Sequence, residues 1–247
     1  MKQFNLTTAA GKRLIGKGMA QHPEILRVLE KGTLVIIAGT TNGYVAEEIL
    51  SASGQMEGFS RVGYRRGMTV APGARPAKPE YTGDVVLVDG VWQKGVDVFA
   101  AAENLKAGDV VLKGANAFDP YGQAAVQVGH PVGGTIMAVV PKVVGARVQL
   151  IIPVGLEKRV MDDVTELALR CNALDAEGPR LCVMPGETFT ELDAIMLLTG
   201  AEPLLLAAGG IYGAEGAIWL GISGTEAKVE DAMALLKSVA QEPPCEV

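Results

Sequence analysis

The chain has 247 residues, 49% of them hydrophobic and only 20% charged, which excludes a disordered chain and supplies a sizeable core. Its formal net charge of −6 excludes a broad basic face for nucleic acid, because binding phosphate backbones takes clustered positive charge. Aromatic residues make up 5%, while 31 glycines and many small aliphatic side chains suit buried parallel strands joined by tight turns.

Residues 9–31 carry Leu14, Ile15, Met19, Ile25, Leu26 and Leu29 near helical spacing, with Pro23 breaking or restarting the helix and Gly32 ending it. Residues 33–38 (TLVIIA) form a continuous apolar, mostly β-branched run that predicts a buried parallel strand. A Gly39-Thr40-Thr41-Asn42-Gly43 turn follows, then a helix over 44–51. Residues 54–83 are irregular and rich in Gly, Pro and Arg, and a loop of that length is functional or mobile. Asp89-Gly90 between residues 84–88 and 91–92 signals a hairpin. A helix over 98–105 and a buried strand over 109–112 come next, ending at Lys113-Gly114. The glycine-rich run 129–134 leads into a helix from Thr135, then a strand over 148–152.

After Pro153 the texture changes. A helix over 162–171, a strand over 180–184 and a helix over 190–198 precede strands over 203–208 and 217–222. The last helix, 225–238, takes Thr225 as its N-cap, and residues 241–247 are expected to fray. The expected fold is α/β: a Rossmann-like three-layer α/β/α domain with a mainly parallel sheet over residues 1–158, then a smaller α+β domain over 159–247.

Cys171, Cys182 and Cys245 are odd in number and contain no CxxC pair, so no zinc site is expected and the count fits a reducing compartment. Cys171 and Cys182 read as buried small apolar side chains. Residues 1–10 lack the apolar core of a signal peptide, and the apolar stretches 204–208 and 137–140 are too short to span a bilayer. The expectation is a cytoplasmic chain without a membrane partner.

Three glycine-rich segments sit where ligands bind in open α/β sheets. In Gly39-Thr40-Thr41-Asn42, exposed helix N–H groups and threonine hydroxyls suit phosphate or carboxylate, although the segment is neither a Walker loop nor GxGxxG. In Lys113-Gly114-Ala115-Asn116-Ala117-Phe118-Asp119-Pro120, Lys113, Asn116 and Asp119 fall at the same sheet edge; Asp119-Pro120 is equally a turn starter. In Gly129-His130-Pro131-Val132-Gly133-Gly134-Thr135, Gly133, Gly134 and Thr135 open a second helix, and His130 is an acid/base candidate or a structural imidazole. Arg61, Arg65 and Arg66, with Arg75 and Lys78, form a local cationic cluster suited to anions, or a solvated loop. Glu157 or Lys158 can close such a pocket or stand as solvated charge. Glu187 and Glu191 fit charge complementarity at a helix N-terminus.

Taken together, these segments resemble the superfamily of ribose-5-phosphate isomerase, glucosamine-6-phosphate deaminase and the CoA transferases, over roughly residues 9–160. The Gly39-Thr40-Thr41 turn looks like its phosphate-binding opening. Gly114-Ala115-Asn116-Ala117-Phe118-Asp119-Pro120 looks like the isomerase segment Asp-Gly-Ala-Asp-Glu-Val-Asp-Pro, and the same stretch with the Pro153–Lys158 region is similar to the lactate-utilisation branch. The resemblance implies a phosphate cradle at the sheet edge. Departures remove its chemistry: Lys113 and Asn116 stand where the isomerase has aspartates, Tyr121-Gly122-Gln123 lacks the deaminase histidine, and no counterpart of a nucleophilic glutamate is evident. The expected function is binding of a small phosphorylated or carboxylated metabolite (sugar phosphate, nucleotide or CoA derivative) by a homo-oligomer that needs no cofactor. The alternatives are an isomerase, lyase or transferase using Asp119 or His130, or a non-catalytic subunit of a larger assembly.

Overall fold

A computed structural model describes residues 1–67, 69, 70, 73 and 83–245. In chain order the elements are β1 (Lys2–Leu6), α1 (Thr8–Ala20), α2 (Pro23–Glu30), β2 (Thr33–Ile36), α3 (Thr40–Ala52), β3 (Val85–Val88), β4 (Val91–Trp92), α4 (Val98–Asn104), β5 (Val110–Leu112), β6 (Ala117–Phe118), β7 (Ala124–Val128) and α5 (Gly134–Ala146). There follow β8 (Gln149–Pro153), a 3₁₀ turn (Leu156–Lys158), α6 (Val164–Cys171), β9 (Arg180–Val183), β10 (Glu187–Phe189), α7 (Glu191–Thr199), β11 (Glu202–Ala208), β12 (Ile218–Ser223) and α8 (Glu226–Val239).

The fold is α/β. A six-stranded sheet runs in the order β10-β8-β5-β2-β3-β4, parallel across β10, β8, β5 and β2, with the β3–β4 hairpin added antiparallel. Pleating sends alternate residues to opposite faces, and both faces are apolar. Leu34, Ile36, Val110 and Leu112 join a core with α1, α3 and α7. Val35, Ile37, Val111 and Leu150 join another with α4 and α5. The result is three layers, helix–sheet–helix.

Local chemistry explains the breaks. His22 caps α2 through Nδ1, and Pro23 takes the first helical turn, where a missing N–H costs nothing, so the 9–31 run divides into two helices. Helix α1 wedges between α3 and α7. A Cβ on Gly16 would come within 3.0 Å of the Tyr44 carbonyl oxygen, and one on Gly18 within 2.8 Å of Ala194 Cβ. Thr190 and Asp193 form a capping box on α7, and Thr225 caps α8 as expected.

Four strands depart from the sequence expectation. The first, β1, lies in the polar opening segment and pairs antiparallel with β12, forming a sheet in the order β1-β12-β11. Two more, β6 and β7, form a small sheet with β9, and the fourth, β10, returns after residue 158 to the edge of the main sheet beside β8. Residues on both sides of 158 therefore build the same central sheet, and the first strand belongs with the last. Short strands of two to five residues carry too little alternation to register as periodicity.

Two smaller expectations are corrected. Cys171 is exposed at the end of α6, while Cys182 is half-buried against the second core. The tail is tied down at Glu242, whose carboxylate accepts from Arg13 Nε at 2.9 Å. Among the described residues, no helix is long and apolar enough to cross a membrane.

Candidate functional site

The chain reverses its winding between β2 and β5. After β2 it runs through α3 on one face and pairs β3 on one side, whereas β5 lies on the other side and leads to α5 on the opposite face. Such a switch point opens a crevice at the carboxyl ends of the strands. A cleft of about 870 Å³ lies there. Gly39, Thr40 and Thr41 enter it from the start of α3, and Lys113, Gly114, Ala115 and Asn116 from the end of β5. His130, Gly133, Gly134 and Thr135 enter from the start of α5, Arg66 and Phe99 from neighbouring loop and helix, and Lys158 from the turn after β8.

Two helix N-termini thus open on one cleft. At α3, Gly39 is the N-cap and makes no side-chain cap bond, so the first N–H groups of the helix keep their unmet donors. The hydroxyl oxygen of Thr41 is buried on the lining with no hydrogen-bond partner among the described residues. At α5, Gly133 and Gly134 both adopt positive φ, 84° and 62°. A Cβ on Gly133 would lie 2.0 Å from Met137 Cγ, so the backbone turns there only because both residues are glycine.

The charged groups are unevenly arranged. Arg66 pairs with Asp84, a fully buried carboxylate whose Oδ1 accepts the Ala38 N–H at 2.8 Å and whose Oδ2 accepts the Val98 N–H at 2.9 Å. Asp84 thereby fastens the Gly39 turn to the start of α4. The side-chain amines of Lys113 and Lys158 have no hydrogen-bond or ion-pair partner among the described residues. Burial lowers the Lys113 amine to about 8; Asp84 opposes the shift, and the cations Arg66 and Lys158 add to it. Burial also lowers Lys158, against the pull of Glu157.

Behind Lys158 lies an acidic pair. Glu157 approaches Lys12 Nζ at 3.6 Å, beyond hydrogen-bond reach. Glu191 is buried against α1 and accepts the Leu156 N–H at 3.0 Å. Gly11 makes room for it: a Cβ there would sit 2.6 Å from Glu191 Oε1. Burial, with Glu157 nearby, raises the Glu191 carboxyl to about 8.

Three expected site residues are not on the described lining. Asp119 is buried, and its oxygens are taken by the N–H groups of Tyr121, Gln123 and Val164 at 2.9, 2.9 and 3.1 Å. It staples the turn after β6 to α6 and has no carboxylate face left for proton transfer. Asn42 is also buried, and its Nδ2 donates to the Ile37 and Leu112 carbonyls at 2.8 and 3.0 Å. It braces the ends of β2 and β5 beneath the cleft. Arg65 lies off the lining, and Arg61 is drawn away to Glu47 and Glu242. Arg75 and Lys78 lie outside the described residues. Asn116 lines the cleft while its Oδ1 holds the Gln127 N–H at 3.0 Å, and His130 is exposed at the rim.

Sequence reasoning overlooked Asp84, Phe99 and the burial of Glu191, and left Lys158 open. The one available signal was position: Lys158 follows a strand end just as Lys113 does. No protein-family model matches the chain and no curated protein matches its sequence.

Proposed function

We propose that the cleft binds a small metabolite bearing phosphate or carboxylate groups, such as a sugar phosphate, a nucleotide or a CoA derivative. One observation carries the reading. The described lining holds Arg66, Lys113, Lys158 and His130 and not one Asp or Glu, in a chain whose net charge is −6. Two half-buried amines with no ion-pair partner among the described residues are costly unless an anion completes them. The starts of α3 and α5 add oriented N–H groups, and Thr41 adds a donor hydroxyl. The resemblance to the superfamily of ribose-5-phosphate isomerase and the CoA transferases supports the same class of ligand. Turnover as an isomerase, lyase or transferase has less support, because Asp119 is committed to backbone and His130 is the only imidazole on the described lining.

A thermal-shift screen near neutral pH tests the reading, using sugar phosphates, nucleotides, acyl-CoAs and small carboxylates. A ligand that binds the folded state alone raises Tm by mass action. The expected result is a selective rise that weakens in Thr41→Ala. No rise with any of these anions counts against the site.

A second reading, a subunit of an assembly, draws on the β1-β12-β11 sheet. Leu204, Leu206 and Trp219 are 55%, 42% and 44% exposed on it. A Cβ on Gly221 would meet the side chains of Leu206 and Met1, so these residues share the outer face. Self-association through this face fits the expected homo-oligomer, and light scattering that reports a monomer at every concentration would exclude it.

A further inference from the structure

The cleft holds two amines that form no ion pair among the described residues, and one of them is better placed to react than to bind. Lys113 follows β5 directly, and its backbone N–H is fixed to the Ile151 carbonyl at 3.1 Å. Its amine therefore projects from the sheet edge on a rigid base, beside the N-terminus of α3. Three charged groups act on it: Asp84, Arg66 and Lys158. The acid among them is already saturated, since Asp84 holds Arg66 and the N–H groups of Ala38 and Val98. Lys158 differs. Burial lowers its amine as well and Lys12 adds to the shift, but two carboxylates, Glu157 and Glu191, oppose it. Both amines are thus pushed toward the neutral form, and Lys113, whose one acidic neighbour is already engaged, is the better placed nucleophile. That arrangement suits covalent chemistry at a carbonyl.

We infer that Lys113 is a carbonyl-binding amine: its Nζ adds to the aldehyde or ketone carbon of an anionic substrate and holds it in the cleft as an imine. The inference rests on the anion-binding reading of the cleft. In the first step the nitrogen lone pair forms the N–C bond, the C=O π electrons move to oxygen, and a proton passes from nitrogen to that oxygen, giving a carbinolamine. In the second, the hydroxyl takes a proton from Lys158 or from solvent and leaves as water while the nitrogen lone pair closes the C=N bond, and the resulting iminium N–H returns a proton to that donor to leave the imine. Carbonyl plus amine gives imine plus water, and no oxidant or reductant enters. The substrate class is a small oxo compound with a phosphate or carboxylate, its anion held by the helix N-termini and its carbonyl at Lys113. Burial without a counter-ion, which is only a cost for a structural lysine, keeps such an amine ready to attack.

The test uses the full chain and pyridoxal 5′-phosphate, an aldehyde that carries a phosphate. Borohydride reduces any imine to a stable secondary amine, and peptide mass mapping locates it. The expected result is about one label per chain, concentrated on Lys113 and displaced by excess pyridoxine 5′-phosphate, which has the phosphate but no aldehyde. Lys113→Arg keeps the charge but cannot form the imine; it should lose the label while pyridoxine 5′-phosphate still raises its Tm. Labelling spread over exposed lysines, centred on Lys158, or unchanged in Lys113→Arg overturns the inference. The wild-type displacement arm decides the matter even if the variant folds poorly. If pyridoxine 5′-phosphate neither displaces label nor raises Tm while Lys113 is labelled, the imine stands and the anion site falls. No label together with a retained Tm rise leaves the anion site and overturns the imine.

Discussion

Two clusters of positive charge in this chain have opposite surroundings. On the face covered by α1 and α3, Arg13 bonds to Glu47, Glu48 and Glu242 at 2.5, 2.8 and 2.9 Å, and Arg61 shares Glu47 and Glu242. Both guanidinium groups lie over the Tyr44 ring, at 4.8 and 4.2 Å. Burial works against the Arg13 charge, and its hydrogen bonds to the three glutamates more than reverse that. At the carboxyl edge of the same sheet, Lys113 and Lys158 have no partner among the described residues, and their amines are pushed toward the neutral form. The same kind of charge is completed by the fold in one place and left without an ion-pair partner among the described residues in the other. Pairing, more than charge count, separates these two sets of cations.

The comparison is broken most severely at Arg13. Arg13→Met removes the cation shared by three carboxylates, leaving Glu47 and Glu242 to Arg61 alone, loosens the tie between α1, α3 and the tail, and should cost about 3 kcal/mol in urea unfolding. A loss near zero would mean the cluster is merely solvated. Next comes Asp119→Ala, which leaves three backbone N–H groups unmet and should cost about 2–3 kcal/mol while the affinity of the cleft for its anion stays unchanged. An affinity loss without a stability loss would restore Asp119 to the site.

Lys113→Met should act in the opposite direction, raising stability by about 1 kcal/mol at neutral pH and abolishing the ligand-induced rise in Tm. With the Lys113 amine lowered to about 8 in the folded state, the unfolded chain binds the extra proton between there and its ordinary value of 10.5. Wild-type stability therefore climbs through that window, and the climb should vanish in the variant. Glu191 supplies the reverse slope. Its carboxyl, raised from 4.5 to about 8, holds a proton that the unfolded chain releases, so stability falls as pH rises between those values. Glu191→Gln should flatten that fall, as read by Tm against pH; an unchanged profile would place the proton elsewhere.

Much of this was legible in the sequence, and the omissions share a cause. The run TLVIIA, the Gly-Thr-Thr turn and the Lys-Gly-Ala-Asn segment each marked a strand ending at the cleft, because hydrophobic period and turn chemistry are local. Gly133-Gly134 likewise announced a helix start. Long-range pairing left no such mark. Nothing in KQFNL shows that it will pair with residues some 212 positions further on, as Leu6 does with Ile218. Asp119 and Asp84 show the same limit from the side of chemistry. Whether a carboxylate faces a ligand or three backbone N–H groups depends on segments remote in sequence, Val164 in one case and Ala38 in the other. The sequence also could not tell Arg61 from Arg66, five positions apart, since Glu242 and Asp84 divide them.

The central claim is that the unpaired amines of the cleft await an anion, and proton uptake on binding tests it most directly. An anion beside Lys113 should raise its amine from about 8 back toward its ordinary value, so that binding draws a proton from solution. Calorimetric titration with an anion retained from the thermal screen, at about pH 8.5 in two buffers of different ionisation enthalpy, measures that uptake. The account predicts net uptake of a fraction of a proton in the wild type and none in Lys113→Met. Binding with no uptake, or uptake that persists in the variant, would contradict it.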